Sequence, residues 1–255
     1  RSQRRGGRGV QGASSREEDF VEHLFVANTH SYILFFTDKG KCYWVKVYDI
    51  PEGGRAAKGR AIVNLIGCEP DEKVSAFISV KEFNEDHYVV MATEKGMVKK
   101  TKLSAYSNPR KKGIYAVEIR DGDRLIEARV STGDNDILLG TRNGKSIRFS
   151  EEQIRASGRK TMGVKGITLS SEDDRLVGML LIKREGTVLV ATEKGFGKRT
   201  EISQYRAQKR GGKGVLTMKT TDKVGKMVTI KEVVDKDDLM IITNQGVLIR
   251  LPVAQ

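Results

Sequence analysis

The chain has 255 residues, 38% of them hydrophobic, and its 46 Lys and Arg against 33 Asp and Glu leave a formal charge of +13 and a pI near 9.7. That length buries a sizeable core in one domain or a repeat array, and the positive excess favours a polyanionic partner over a small neutral substrate, with nucleic acid ahead of a membrane surface. Cys42, Cys68 and the scattered His23, His30 and His87 have no spacing that suits zinc or a disulfide framework, which fits a reduced, intracellular setting. No apolar run approaches the roughly eighteen residues of a membrane span, and no signal-peptide core follows the basic start. The first residue is Arg, so the sequence reads as part of a longer chain.

In chain order the first element is a basic loop, QRRGGRG (3–9), followed by an acidic turn and apolar strand, DFVEHLF, and then by ILFFTDKGKCYWVKV. This last stretch predicts a β-hairpin: an apolar β-rich run, a polar turn, a glycine able to take positive φ, and a second strand. The same order then repeats. Four more hairpins follow, YVVMATEKGMVKKTK, DILLGTRNGKSIRFS, TVLVATEKGFGKRTE and LMIITNQGVLIRLP, and in all five a Thr (Thr37, Thr93, Thr141, Thr192, Thr243) stands three residues before a Gly (Gly40, Gly96, Gly144, Gly195, Gly246). Between them lie GRAAKGR, NPRKKGI, GRKTMGVKG and QKRGGKG, each followed by an acidic turn and a strand, DEKVSAF, DRLIEAR, DRLVGML and DKVGKMV. The loop glycines, Gly9, Gly59, Gly113, Gly163 and Gly214, are 50, 54, 50 and 51 residues apart.

Four strands per unit at this period predict an all-β, propeller-like ring of blades, with repeats near 1–30, 31–82, 83–132, 133–183, 184–234 and 235–255 of a single domain. The β-branched, period-2 pattern excludes an α-solenoid. Ten residues after the first four hairpin glycines stand Ile50, Tyr106, Ile154 and Tyr205, read as repeated core anchors; this argues against a catalytic task for either tyrosine. The array starts and ends in mid-repeat, so its flanking halves lie beyond the sequence or its two ends share a blade.

Two series of cations recur with the repeat. Lys100, Arg148, Arg199 and Arg250 stand four residues after a hairpin glycine, with Trp44 in their place in the first copy. A fixed offset on a strand puts them on one face of each blade, and the expectation is a continuous cationic band. The loop cations Arg4, Arg5, Arg8, Arg55, Lys58, Arg60, Arg110, Lys111, Lys112, Arg159, Lys160, Lys165, Lys209, Arg210 and Lys213 recur likewise. A single charged loop is as well explained by solvation. Five in register, with the acids gathered at the opposite kind of turn, point to a polyanion, whose phosphates the interspersed glycines would let the backbone approach.

Little suggests catalysis. The acidic clusters at 17–19, 134–136, 172–174 and 235–238 precede strands, where turn formation accounts for them, and no metal site is expected. A P-loop, a nucleophile elbow and a zinc-helix motif are all missing, and GRGVQG (7–12) matches the dinucleotide fingerprint without its strand and helix.

The heptapeptide QRRGGRG resembles the box motif of the C-terminal domain of bacterial DNA gyrase A subunits, and the repeat pattern over almost the whole chain is similar to that domain, a β-pinwheel of six blades in the family. The resemblance implies a non-catalytic domain that wraps duplex DNA around a basic rim, so that ATP-dependent strand passage leaves negative supercoils. It gives Gln3, Arg4, Arg5, Gly6, Gly7, Arg8 and Gly9 the role of fixing the wrap. It further implies gyrase A and B subunits as partners in an A2B2 assembly, a cytoplasmic location, no cofactor in this chain, and ATP, Mg2+ and the cleavage tyrosine elsewhere in the enzyme. QKRGGKG (208–214) is a near copy of the box. The alternatives are the C-terminal domain of topoisomerase IV, whose blades are related but whose box is not intact, a propeller that binds acidic proteins, and a nuclease or nucleotide hydrolase on the same scaffold.

Overall fold

The computed structural model describes residues 9–11, 26–53, 59, 61–242 and 247–254. Its strands run in chain order as β1 (Val10–Gln11), β2 (Tyr32–Thr37), β3 (Lys41–Lys46), β4 (Val74–Val80), β5 (Tyr88–Thr93) and β6 (Met97–Lys102). There follow β7 (Ile114–Tyr115), β8 (Leu125–Ser131), β9 (Asp136–Thr141), β10 (Lys145–Ser150), β11 (Val164–Lys165) and β12 (Leu176–Ile182). The last six are β13 (Thr187–Thr192), β14 (Gly197–Glu201), β15 (Val215–Leu216), β16 (Met227–Val233), β17 (Asp238–Ile242) and β18 (Val247–Pro252). One four-residue helix, α1 (Val63–Ile66), interrupts them and ends on Gly67 in the left-handed conformation. No sequence signal announced it.

The strands form antiparallel sheets in the orders β4-β2-β3-β7, β8-β5-β6-β11, β12-β9-β10-β15, β16-β13-β14 and β17-β18-β1. The middle two strands of each four-stranded sheet are the expected hairpin, and the strand after the acidic turn pairs with the first of them. The fourth strand comes from elsewhere. β7, which follows the basic loop of the next repeat, pairs with β3, and β11 and β15 reach back to β6 and β10 in the same way. Each repeat therefore lends its loop to its predecessor. At the ends, Val10 lies opposite Leu248 and Gln11 opposite Val247, so the first and last strands share a sheet.

The sheets stack face to face, which explains why the first strand of a hairpin is apolar at consecutive rather than alternate positions. Val89 and Met91 pack with Leu34, Phe36 and Ile78 of the sheet before, while Val90 and Ala92 pack with Ile137, Leu139 and Phe149 of the sheet after. A strand buried on both faces carries no polar alternation. Three of the four anchors are buried: Tyr106, Ile154 and Tyr205 are 0, 2 and 4% exposed, and Ile50 is half-buried against the first sheet.

The four described hairpin turns share one backbone bond. The amides of Gly40, Gly96, Gly144 and Gly195 donate to the carbonyls of the threonines three residues before, and the Thr37, Thr93 and Thr141 hydroxyls accept from the amides of Lys41, Met97 and Lys145. Acids of the following turn hold the same tip in two blades. Asp123 accepts from the Lys95 amide and Asp174, of the 172–174 cluster, from the Asn143 amide, both at 2.9 Å, and for Asp174 this is the turn-forming task expected of that cluster.

Candidate nucleic-acid interface

The basic loops are fixed by the hairpins they lean on. Gly40 accepts hydrogen bonds at its carbonyl from Ala116 and Val117, Gly96 from Gly166 and Ile167, and Gly144 from Thr217 and Met218, in each case residues just beyond the next repeat's basic loop. Gly144 has φ +84°, and a Cβ there would come within 2.0 Å of the Met218 carbonyl oxygen, so only glycine admits the approach. From the other side Gly214, at φ +68°, would set a Cβ 2.4 Å from the Ser146 carbonyl oxygen. The loop glycine thus seats the loop on its neighbour's hairpin. Loop amides are taken up within the protein as well, Gly113 donating to Arg110 and Gly211 to Gly166. At these two positions the expected phosphate-cradling backbone gives way to internal hydrogen bonds.

Consecutive loops are stitched to one another. The Glu118 amide donates to Thr161, and the Arg159 guanidinium to the Tyr115 carbonyl, joining the third loop to the fourth. Gly211 donates to Gly166, Thr168 to Gly212, and the Thr168 hydroxyl to Gly211 at 2.7 Å, joining the fourth to the fifth. Arg210 completes this second seam through the Lys165 and Gln153 carbonyls, at 2.5 and 3.3 Å. The result is a ribbon of backbone running across three blades.

Seven cations stand out from that ribbon. Arg110, Lys111, Lys112, Lys160, Lys165, Lys209 and Lys213 are exposed, and among the described residues none of their side chains enters a hydrogen bond or an ion pair. Lys160 lies 5.3 Å from the ring of Tyr115, itself 51% exposed, so an aromatic face accompanies the charges. Arg159 and Arg210 belong to the same loops but spend their guanidinium groups on the seams. Of the box, only Gly9 is described: it has φ +72°, and a Cβ there would meet the Leu248 carbonyl oxygen at 2.9 Å. Gln3, Arg4, Arg5, Gly6, Gly7 and Arg8, and Arg55, Lys58 and Arg60 of the second loop, lie outside the described residues.

The strand cations have another task, and the band expected of them does not form. Lys100 is 7% exposed; its ammonium donates to the Glu151 carbonyl at 3.3 Å and lies 3.6 Å from the buried Glu151 carboxylate and 5.1 Å from the Tyr88 ring. Arg148 pairs with Asp136 at 2.6 Å and donates to the Ile202 and Tyr205 carbonyls, both at 3.2 Å. Arg199 donates to Thr187, to Asp235 and, at 3.1 Å, to the Val253 carbonyl. In all three the acceptor carbonyl belongs to the turn that ends the next repeat's hairpin. The Glu151 and Ile202 carbonyls already accept from the amides of Ile154 and Tyr205, and the long cationic side chain adds a charge-assisted bond to the turn across the gap between blades. Arg250 is paired with Asp238. In the first repeat Trp44 occupies the position and packs edge-on against Tyr32, 4.7 Å between centroids, with its indole N–H buried and unpaired.

A buried lysine escaped sequence reasoning altogether. Lys99 is 2% exposed and donates to the Ala116 carbonyl at 2.8 Å and the Arg159 carbonyl at 2.7 Å, beneath the third and fourth loops. Burial, then the nearby Arg159 charge, lowers its pKa to about 8. Burial raises the pKa values of Tyr106 and Tyr205. Cys42 and Cys68 are both free thiols.

The DNA gyrase C-terminal domain, β-propeller family model matches residues 1–28, 31–81, 87–132, 135–183, 186–233 and 237–255. The DNA gyrase A protein of Clostridium acetobutylicum is 51% identical over 253 residues, 99% of this chain and 30% of that protein. Its counterpart in Salmonella typhimurium is 43% identical over 254 residues, 100% of this chain and 29% of that protein. The chain thus spans about three tenths of these relatives' length. Among solved structures, the C-terminal domain of DNA topoisomerase IV superposes with a TM-score of 0.80 at 25% identity, covering 96% of this chain and 76% of that one. A DNA gyrase A C-terminal domain superposes with a TM-score of 0.79 at 23% identity, covering 96% and 83%.

Proposed function

Because the chain belongs to the DNA gyrase C-terminal β-propeller family, we propose that it binds duplex DNA along the stitched basic ribbon and bends it around the rim. The observation that carries this reading is the set of seven exposed, unpaired cations on three loops that hydrogen-bond to one another in series. Such a track follows a polyphosphate backbone and contacts it repeatedly without reading bases. We assign the box residues Gln3, Arg4, Arg5, Gly6, Gly7, Arg8 and Gly9 to the same DNA contact, with the role of fixing the wrap that the family resemblance implies. Arg55, Lys58 and Arg60 of the second loop are assigned to the same contact, as are Lys209 and Lys213 of the last, whose Arg210 is held in the seam.

The energetics demand a track rather than a point. A folded chain of this length has a radius of gyration of roughly 18 Å, far below the persistence length of DNA, about 500 Å, so a half-turn costs on the order of ten kcal/mol. One Arg/Gly loop cannot offset that, whereas phosphate contacts distributed over several blades can. Fixing the loops to neighbouring hairpins keeps their cations in place before DNA arrives, which lowers the ordering cost of binding.

Within the longer protein, the domain serves a type IIA topoisomerase with an A2B2 arrangement of gyrase subunits in the bacterial cytoplasm. There the wrap presents a DNA segment for ATP-dependent strand passage and sets the sign of supercoiling. The chain itself carries no catalytic residues; ATP and Mg2+ act elsewhere in the enzyme. Binding of a fluorescent duplex, measured by anisotropy from low to high salt, tests the reading. A steep fall in log K with log salt and little dependence on sequence are expected, and a flat plot contradicts it.

A further inference from the structure

The strands that follow the acidic turns, β4, β8, β12 and β16, pack against one another in series, β4 on β8, β8 on β12 and β12 on β16. They enclose a cavity of about 430 Å³, on the opposite side of each sheet from the strands that carry the basic loops. Three repeats in succession send a cation to it: Arg129 from β8, Lys183 from the residue after β12, and Lys231 from β16.

The charges around the cavity are poorly balanced. Glu232 is committed, accepting from the amides of Lys183 and Arg184 at 3.1 and 2.9 Å and lying 3.6 Å from the Arg184 guanidinium. Arg184 is held in turn by Asp237 at 2.9 Å. Arg129 has Glu127 at 3.4 Å, but its Nε is buried without a hydrogen-bond acceptor. The Lys183 ammonium donates to the Val130 carbonyl at 2.9 Å, and the Lys231 ammonium has neither a hydrogen bond nor an ion pair among the described residues. The cavity wall thus carries four cations, Arg129, Lys183, Arg184 and Lys231, against one carboxylate, Glu232. The pKa values of Lys183 and Lys231 are both lowered, by burial first and by the Arg129 charge next, which together outweigh the opposing pull of Glu232 and Glu151 on Lys183 and of Glu127 on Lys231.

We propose that this axial cavity is a binding site for a small multivalent phosphate anion, of the class of pyrophosphate, held by Arg129, Lys183 and Lys231. Its volume lies within the range of small-molecule sites, about 300–1,000 Å³, and is far too small for a duplex. An oxyanion with several oxygens can accept from the fixed fork of Arg129 and from both ammonium groups at once, supplying the acceptor that Arg129 Nε lacks. A phosphate of duplex DNA has the same chemistry, so the test separates the two sources.

Titration calorimetry of the 255-residue chain with pyrophosphate is expected to give saturable binding. Arg129→Gln and Lys231→Gln, on different blades, should each weaken it about tenfold or more, and Lys231→Arg should retain it. The rim pair Lys209→Gln/Lys213→Gln should leave pyrophosphate affinity unchanged, and saturating pyrophosphate should leave duplex binding unchanged. Thermal melts identify any variant that fails to fold, in which case the variant on the other blade decides. Absence of binding, binding lost through the rim pair, binding unmoved by the axial variants, or displacement by a short duplex would each overturn the proposal.

Discussion

The loop cations and the strand cations are the same residue types, repeat at the same period and lie a few residues apart, yet they do opposite work. Arg110, Lys111, Lys112, Lys160, Lys165, Lys209 and Lys213 stand in solvent without a side-chain hydrogen bond or ion pair among the described residues, whereas Lys100, Arg148 and Arg199 cross the gap to the next blade and end on its carbonyls. The difference lies in what surrounds them. A cation on a strand, beside the carbonyls of the next blade's turn and opposite an acid or a ring, is consumed by the fold; a loop cation that no neighbouring carbonyl meets, unlike Arg159 and Arg210, remains available. Periodicity alone therefore does not mark a binding surface. The local hydrogen-bond supply decides.

Replacing the seven rim cations together by Gln sharpens this contrast most. Each phosphate contact contributes about 0.9 to the slope of log K against log salt, so the slope should flatten by about 6, and affinity at moderate salt should fall on the order of a thousandfold. Salt-titrated anisotropy measures both, and thermal melts should be little changed. The reverse pattern is expected of Arg148→Ala, which strands the Asp136 carboxylate and the Tyr205 carbonyl. It should cost about 2 kcal/mol of stability while leaving duplex affinity near wild type below the melting transition, as denaturant unfolding alongside anisotropy would reveal. Equal losses of DNA affinity in both variants would erase the distinction.

The smallest effect concerns Lys99, a cation that belongs to neither class. Its folded-state pKa, about 8, lies below the unfolded value, so the buried charge costs stability fully below pH 8, and the cost is relieved as pH rises toward 10.5. The stability of wild type relative to Lys99→Met should therefore increase between pH 7 and pH 9, by on the order of 1 kcal/mol, or about 2–4 °C in Tm. A difference that stays constant or shrinks over that range would mean the ammonium is not buried as described.

Much of the architecture was legible in the residues, because the features that reveal it are local. Thr-x-x-Gly with flanking β-rich runs specifies a hairpin, and an acidic turn precedes the next strand; both were readable from spacing, whereas the bonds by which Asp123 and Asp174 hold the hairpin tips were not. The exchange of β7, β11 and β15 between sheets was not, since a two-residue strand carries no pattern and its partner lies about 70 residues away. For the candidate site, the loops were readable and the fate of the strand cations was not. Lys100 and Lys112 look alike in sequence, and only tertiary contacts show that the first meets Glu151 and the second meets solvent. A clue was present nonetheless: the first residue of the five hairpins runs Tyr32, Tyr88, Asp136, Thr187, Asp238 against Trp44, Lys100, Arg148, Arg199, Arg250, and each pairing is an attractive one. Lys99 and the axial trio Arg129, Lys183 and Lys231 had no such signal, because their neighbours come from other repeats.

The central claim is that a rim of unpaired loop cations bends DNA, and energy transfer between dyes at the two ends of a duplex tests it most directly. Added chain should raise transfer strongly at low salt, the seven-fold Gln variant should abolish the rise, and Arg148→Ala below its melting transition should preserve it. Tight binding without any gain in transfer, or a gain that survives loss of the rim cations, would contradict it.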